Sequence, residues 1–190
     1  SEGFEKGLKS LSNMVGDIKP KLKSLAMAVT AAFSVKKLVD FGRQSIETAS
    51  DLAEVQNVVD TAFGESKQKM EDFADTAVKT YGISKLTAKQ TGSNFMAMAA
   101  GMGLANDSAS DMAMALTGLS ADMASFYNVG QDVASTALKS IFTGETETLK
   151  QFGIVMTDAN LQAYALSKGI TKSTADMSQA EKVQLRYNYV

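Results

Sequence analysis

The chain has 190 residues, 45% of them hydrophobic and 21% charged, which fits a folded chain of one domain, or one domain plus an arm, and argues against disorder. Its net charge of −2 supplies no global basic field for nucleic acid. Cysteine, histidine and tryptophan are absent, which excludes disulfides, Cys/His zinc sites and every catalytic dyad or triad that uses His or Cys. One proline, abundant alanine and 11 methionines point to helices, so composition alone reads as a soluble helical protein and not a conventional enzyme.

The chain starts at Ser1 and closes on Arg186-Tyr187-Asn188-Tyr189-Val190, inside a helical pattern without a stop signal. That reads as a piece of a longer polypeptide. The uncharged run Ser24 to Val35 is flanked by lysines, but at 12 residues it falls short of the roughly 20 that a membrane span needs. The run Phe95 to Ala105 is shorter still, and both read as core or lumen-filling helix.

Residues 1–64 read as an extended helical arm. Phe4, Leu8, Leu11 and Val15 form one stripe, Leu22, Leu25, Val29 and Phe33 another, and Leu38, Ile46, Ala49, Ala53 and Val59 continue it to Gly64. Asp17 suits an N-cap and Pro20 a first helical turn. The excess of Lys and Arg over Asp and Glu from Ser1 to Arg43 is read as a solvated face, with an anion site as the alternative.

Residues 65–190 read as a compact bundle with short Gly and Asn turns. Met70, Phe73, Ala77 and Tyr81 line one side of a helix over 66–81, which Gly82 stops. Ser84 caps the next helix, to about Leu104, and Asn106-Asp107 forms the turn that follows. Ser108 and Asp111 resemble a capping box, after which Met112, Leu116, Leu119, Met123 and Phe126 make a heptad-like seam. The facing helix offers Ala97, Gly101 and Ala105 for close approach. Gln90 to Leu138 holds no Lys or Arg, which predicts burial within the domain or between subunits. Further helices are expected over 132–142, 145–152 and from Thr157 or Asp158 to Lys168, with Ile154-Val155-Met156 extended between the last two. Ser178 and Glu181 form a full capping box on a final helix. No β pattern is present, so the fold class is all-α.

Without His or Cys, paired carboxylates are the acid/base chemistry left to consider. Glu145 with Glu147, and Asp107 with Asp111, sit where helix N-termini favour negative charge, which explains them without catalysis. Asn106 to Asp111 lacks the Gly and Glu of a calcium loop, and Gly101-Met102-Gly103 lacks the strand and Lys-Ser/Thr of a phosphate loop. Met96, Met98, Met102, Met112, Met114 and Met123 could line an adaptable groove or simply fill the core. No catalytic, cofactor-binding or metal-binding residue is assigned.

One segment carries a resemblance. Ile141-Phe142-Thr143-Gly144-Glu145-Thr146-Glu147-Thr148-Leu149-Lys150-Gln151-Phe152-Gly153-Ile154 resembles a signature of the core region of bacteriophage tail tape measure proteins. Leu161 to Leu166, Gly169-Ile170 and Met177 to Tyr187 fit the same pattern, as do Ala49 to Phe63 and the stretch from Phe73 to Ser84. The likeness covers about Thr48 to Val190. It implies a structural protein that occupies the tail tube lumen of a phage or prophage-derived particle, sets tail length during assembly in the host cytoplasm, and leaves before the DNA at infection. The implied partners are several parallel copies of itself, the tail tube protein, tail assembly chaperones and distal tail or baseplate proteins. No specific nucleic acid is implied, and membrane contact at infection is allowed. The residues themselves leave two rivals: a peptidoglycan-degrading domain working through carboxylates, and a helical binding or membrane-active module.

Overall fold

The computed structural model describes residues 53–190; the stripes and caps expected before Ala53, from Phe4 to Ala49, lie outside that range. Among the described residues seven α-helices pack together: α1 (53–63), α2 (Lys67–Tyr81), α3 (Lys85–Gly101), α4 (Asn106–Tyr127), α5 (Gln131–Thr143), α6 (Asp158–Ser167) and α7 (Gln179–Tyr189). Three 3-10 segments join them, at Gly64–Ser66, Thr146–Phe152 and Thr174–Asp176. No strand occurs among the described residues, and the all-α multi-helix bundle stands.

Helix α4 is the axis of the bundle. It packs on α2, α3 and α5, and buries Ala109, Ser110, Met112, Ala113, Leu116, Thr117, Gly118, Ser120, Ala121 and Met123 on more than one of its faces. Small residues make this possible, because they let three neighbouring backbones approach one helix. Gly118 is the closest approach: a Cβ there would lie 2.6 Å from the Tyr81 ring. The buried hydroxyls of Thr117 and Ser120 donate to carbonyls of their own helix, at Ala113 and Thr117. A helix without Lys or Arg is therefore the interior element, as the charge pattern of Gln90 to Leu138 predicts.

Local signals set most boundaries. Gly82 ends α2 with a left-handed φ of 70°. Ser84 accepts from the Thr87 amide at 3.0 Å, Thr157 accepts from the Asn160 amide at 3.2 Å, and Ser178 and Glu181 complete their reciprocal box.

The structure corrects six expectations. The compact module begins upstream of Gly64, since Val55, Val59 and Phe63 are in the core; Gly64 starts a 3-10 turn from α1 to α2 and does not end an arm there. The α3–α4 turn lies at Met102 to Ala105, because Gly103 takes a φ of 85° and Leu104 bonds back to Ala99. Helix α4 thus starts at Asn106, which puts Ser108 inside the first turn, where it cannot cap with Asp111. Ala97, Gly101 and Ala105 face outward, and α3 instead turns Ala88, Gly92, Phe95, Met96 and Ala99 inward. The seam ends early, with Leu119 half-buried and Phe126 82% exposed. The stretch expected as helix over 145–152 is a 3-10 segment, held between left-handed glycines at 144 and 153.

Candidate functional site

The signature segment Ile141 to Ile154 leaves the end of α5, turns at Gly144, and runs through the 3-10 helix to Gly153. Its apolar positions are anchors: Ile141, Phe142, Leu149 and Phe152 are buried, and Phe142 stacks on Phe95 of α3 with ring centroids 6.1 Å apart. Its polar backbone is held by side chains from other elements. Arg186 Nη1 of α7 donates to the Ile141 carbonyl at 3.2 Å, and Tyr127 Oη of α4 to the Phe152 carbonyl at 2.7 Å. Just beyond the segment, Thr146 Oγ1 donates to the Met156 carbonyl at 2.7 Å. Tyr189 Oη and Asn160 Nδ2 donate to the Val155 carbonyl at 2.8 and 2.9 Å. A non-helical stretch needs such partners, because buried carbonyls without them are costly.

Arg186 closes the assembly. Its guanidinium lies against Gly144, where a Cβ would come within 2.8 Å of Nη2, and Gly144 also holds a φ of 81°. The positive φ favours glycine, and a Cβ there would also have to displace the tip of the Arg186 side chain. Partial burial pushes the Arg186 pKa below its ordinary value, while the nearby Asp158 carboxylate works in the opposite direction. Tyr164 extends the same joint, donating to the Asn188 carbonyl at 2.6 Å and meeting the Tyr189 ring edge-on at 5.4 Å.

Two small clefts adjoin this joint. One of about 280 Å³ is lined by Asp158, Leu161, Thr174, Ala175, Lys182, Leu185 and Arg186. The other, about 200 Å³, runs past Gly144, Thr146, Glu147, Lys150, Met156 and Thr157 to share Asp158, Leu161 and Arg186. Their polar groups support helix ends and the Arg186 contact, and no hydroxyl nucleophile stands hydrogen-bonded to a carboxylate base in either.

The acidic pairs separate from one another in role. Glu147 is exposed and meets Lys150 Nζ at 2.8 Å. Glu145 is exposed and makes no side-chain cap. Asp107 and Asp111 both accept from Lys69 Nζ, at 3.3 and 3.1 Å, and the bond donated to Asp111, then that to Asp107, raises the Lys69 pKa. These acids place charge near helix starts without forming hydrogen-bonded caps. Among the described residues no group of three Asp or Glu gathers as a metal site, and no helix is long and apolar enough to cross a membrane. Met96, Met112 and Met123 are buried, and Met98, Met102 and Met114 pack half-buried against them, so the methionines face the core.

One cluster escapes the sequence patterns. Lys89 is buried on α3, with Nζ 2.7 Å from Glu71 Oε2 and 2.6 Å from Gln56 Oε1. Gln56 Nε2 closes the ring by donating to Glu71 Oε1 at 2.8 Å. It joins α1, α2 and α3. The available signal was a charge at an inward register, between Ala88 and Gly92.

No family model, curated protein or solved structure matches the chain.

Proposed function

We propose that this chain is a structural, non-enzymatic part of a bacteriophage tail tape measure protein, or of the equivalent protein of a prophage-derived tail-like particle. The observation that carries the reading is the signature Ile141 to Ile154. Packing supports it: the segment's apolar residues serve as core anchors, and Gly144 supplies the left-handed turn that ends α5 beside Arg186. A motif whose apolar positions are core anchors supports an architectural role. On this reading residues 53–190 are an assembly module and not measuring length, since antiparallel helices fold back on themselves and add little span. The protein sets tail length, occupies the tube lumen, and meets tube protein, assembly chaperones, distal tail proteins and its own copies.

The test uses particles carrying the full-length gene. In-frame deletion of Leu22 to Ser45 removes about 24 residues, or about 36 Å if the arm is helical. Tails shorter by about that amount in electron micrographs are the expected result. Normal particles with tails of unchanged length would overturn the reading.

A further inference from the structure

The larger of the two clefts at the α6–α7 joint, about 280 Å³, has a charge that the fold leaves unbalanced. Lys182 and Arg186 stand one helical turn apart on α7, so their side chains share a face, and both line the cleft. Like charges at this spacing repel. A guanidinium carries five N–H donors. Arg186 donates to the Ile141 carbonyl, and among the described residues neither it nor Lys182 makes a salt bridge. Both are half-buried, which takes part of their hydration away.

The acid placed to neutralise them is Asp158, at the start of α6. It is exposed and pairs with neither cation. The cleft therefore sets two half-buried cations against one exposed acid that stands off from both. Its remaining lining is of another kind. Leu161 and Leu185 are buried and present an apolar surface, and Thr174 adds a half-buried hydroxyl. Cationic donors beside apolar surface suit a ligand that has a negative end and an apolar end.

We propose that this cleft binds an organic carboxylate with a short apolar body, the carboxylate between Arg186 and Lys182 and the body on Leu161 and Leu185. A carboxylate matches the planar fork of a guanidinium and neutralises the like charge that α7 places at one-turn spacing. The two leucines set the class of acid. An inorganic oxyanion has nothing to lay on them, whereas an aliphatic tail takes their surface out of water. The volume limits that tail to a few carbons. The inference concerns a ligand site and stands whether or not the chain belongs to a phage tail.

NMR titration of the full chain, labelled with nitrogen-15 and held at constant ionic strength, tests it. 3-Methylbutanoate is expected to shift the Arg186 Nε–H and the Thr174 and Lys182 amides saturably, with a Kd of about 1–10 mM. Acetate lacks the tail and is expected to bind about tenfold more weakly, and inorganic phosphate is expected to be weaker than 3-methylbutanoate as well. Lys182→Met should raise the Kd about fivefold and Asp158→Asn should lower it by about as much, opposite effects that loss of structure would not give. The amide spectra show whether each variant keeps the bundle, and Lys182→Gln replaces Lys182→Met if that one does not. The peptide acetyl-Ala-Ala-Leu separates two sources of the same chemistry. Tighter binding than 3-methylbutanoate supports the site with a chain end as its ligand, and weaker binding supports it with a free acid. The absence of a saturable shift by about 50 mM would overturn the proposal. So would acetate or phosphate binding as tightly as 3-methylbutanoate, or a Kd that neither substitution changes.

Discussion

At the scale of single residues, the bundle tolerates change according to what stands opposite. A Cβ on Gly118 would strike the Tyr81 ring at 2.6 Å, and that ring packs on Phe73. A Cβ on Gly92 would strike the Met70 thioether at 2.8 Å, and a thioether can rotate away. Alanine also recovers up to about 1 kcal/mol of helix propensity at either site. Gly118→Ala is therefore expected to cost about 1–2 kcal/mol net, and Gly92→Ala less than about 1 kcal/mol, by urea denaturation. Tyr81→Leu should rescue Gly118→Ala, whereas Tyr81→Phe, which keeps the ring, should not. Lys89 gives a second case. Glu71→Ala leaves a buried cation short of its partner and is expected to cost about 2–4 kcal/mol. Glu71→Leu with Lys89→Met together should cost less than that single change. A double variant worse than Glu71→Ala would show that the ring's polar bonds stabilise the fold by themselves. Neither Tyr81 against Gly118 nor Glu71 against Lys89 was legible in the sequence, because each pair joins different helices.

At the scale of elements, the legible features are those closed within a few residues. The Ser178–Glu181 box needs only its own turn, and it forms as expected. The Glu181 carboxyl is lowered from its ordinary 4.5 to about 2, first by the Lys172 hydrogen bond and then by the Ser178 amide and hydroxyl. A depressed carboxylate pKa contributes stability that is present above the unfolded value and lost as pH falls through the folded one. Helix α7 should therefore weaken between about pH 4.5 and pH 2. Amide protection of its early turns, relative to the intrinsic exchange rate at each pH, should fall as pH is lowered over that window in the wild type. In Glu181→Gln that protection should already be low at pH 5 and change little below; equal pH dependence in both proteins would contradict the assignment. The Ser108–Asp111 pattern looked similar and failed, because Gly103 had already turned the chain and the N-cap of α4 falls at Ala105, three residues earlier. A cap depends on where the preceding turn ends, and that is settled by packing of the helix behind it.

At the scale of the whole molecule, α4 decides the architecture. A helix rich in Ala, Ser, Thr and Gly on several faces can only be satisfied by several neighbours, and α2, α3 and α5 supply them. Segment 141–154 then becomes the joint to α6 and α7, fixed by Arg186, Tyr127 and Tyr189. Under the tail reading this division sets a clear expectation for deletions. Residues removed before Ala53 are expected to shorten the tail in proportion. Residues removed within α3 to α5 are expected to abolish assembly without giving a shorter tail, because they take out the bundle's centre. Proportional shortening from both regions would mean that the bundle opens in the particle.

The sequence by itself determined that the described part is helical, where most of its helices start and stop, and which chemistries are excluded. These follow from composition, from periodicity and from caps closed within four residues, all of which are local. The stretch Gln90 to Leu138 without Lys or Arg pointed to burial within the domain or between subunits, and within it the structure makes α4 the interior helix. Only the tertiary structure decided that residues 53–63 belong to the bundle, that Ala97, Gly101 and Ala105 face outward, and that Phe126 stands clear of its own seam. Helical periodicity names an apolar stripe but not its partner, and burial depends on which neighbour arrives from elsewhere in the chain.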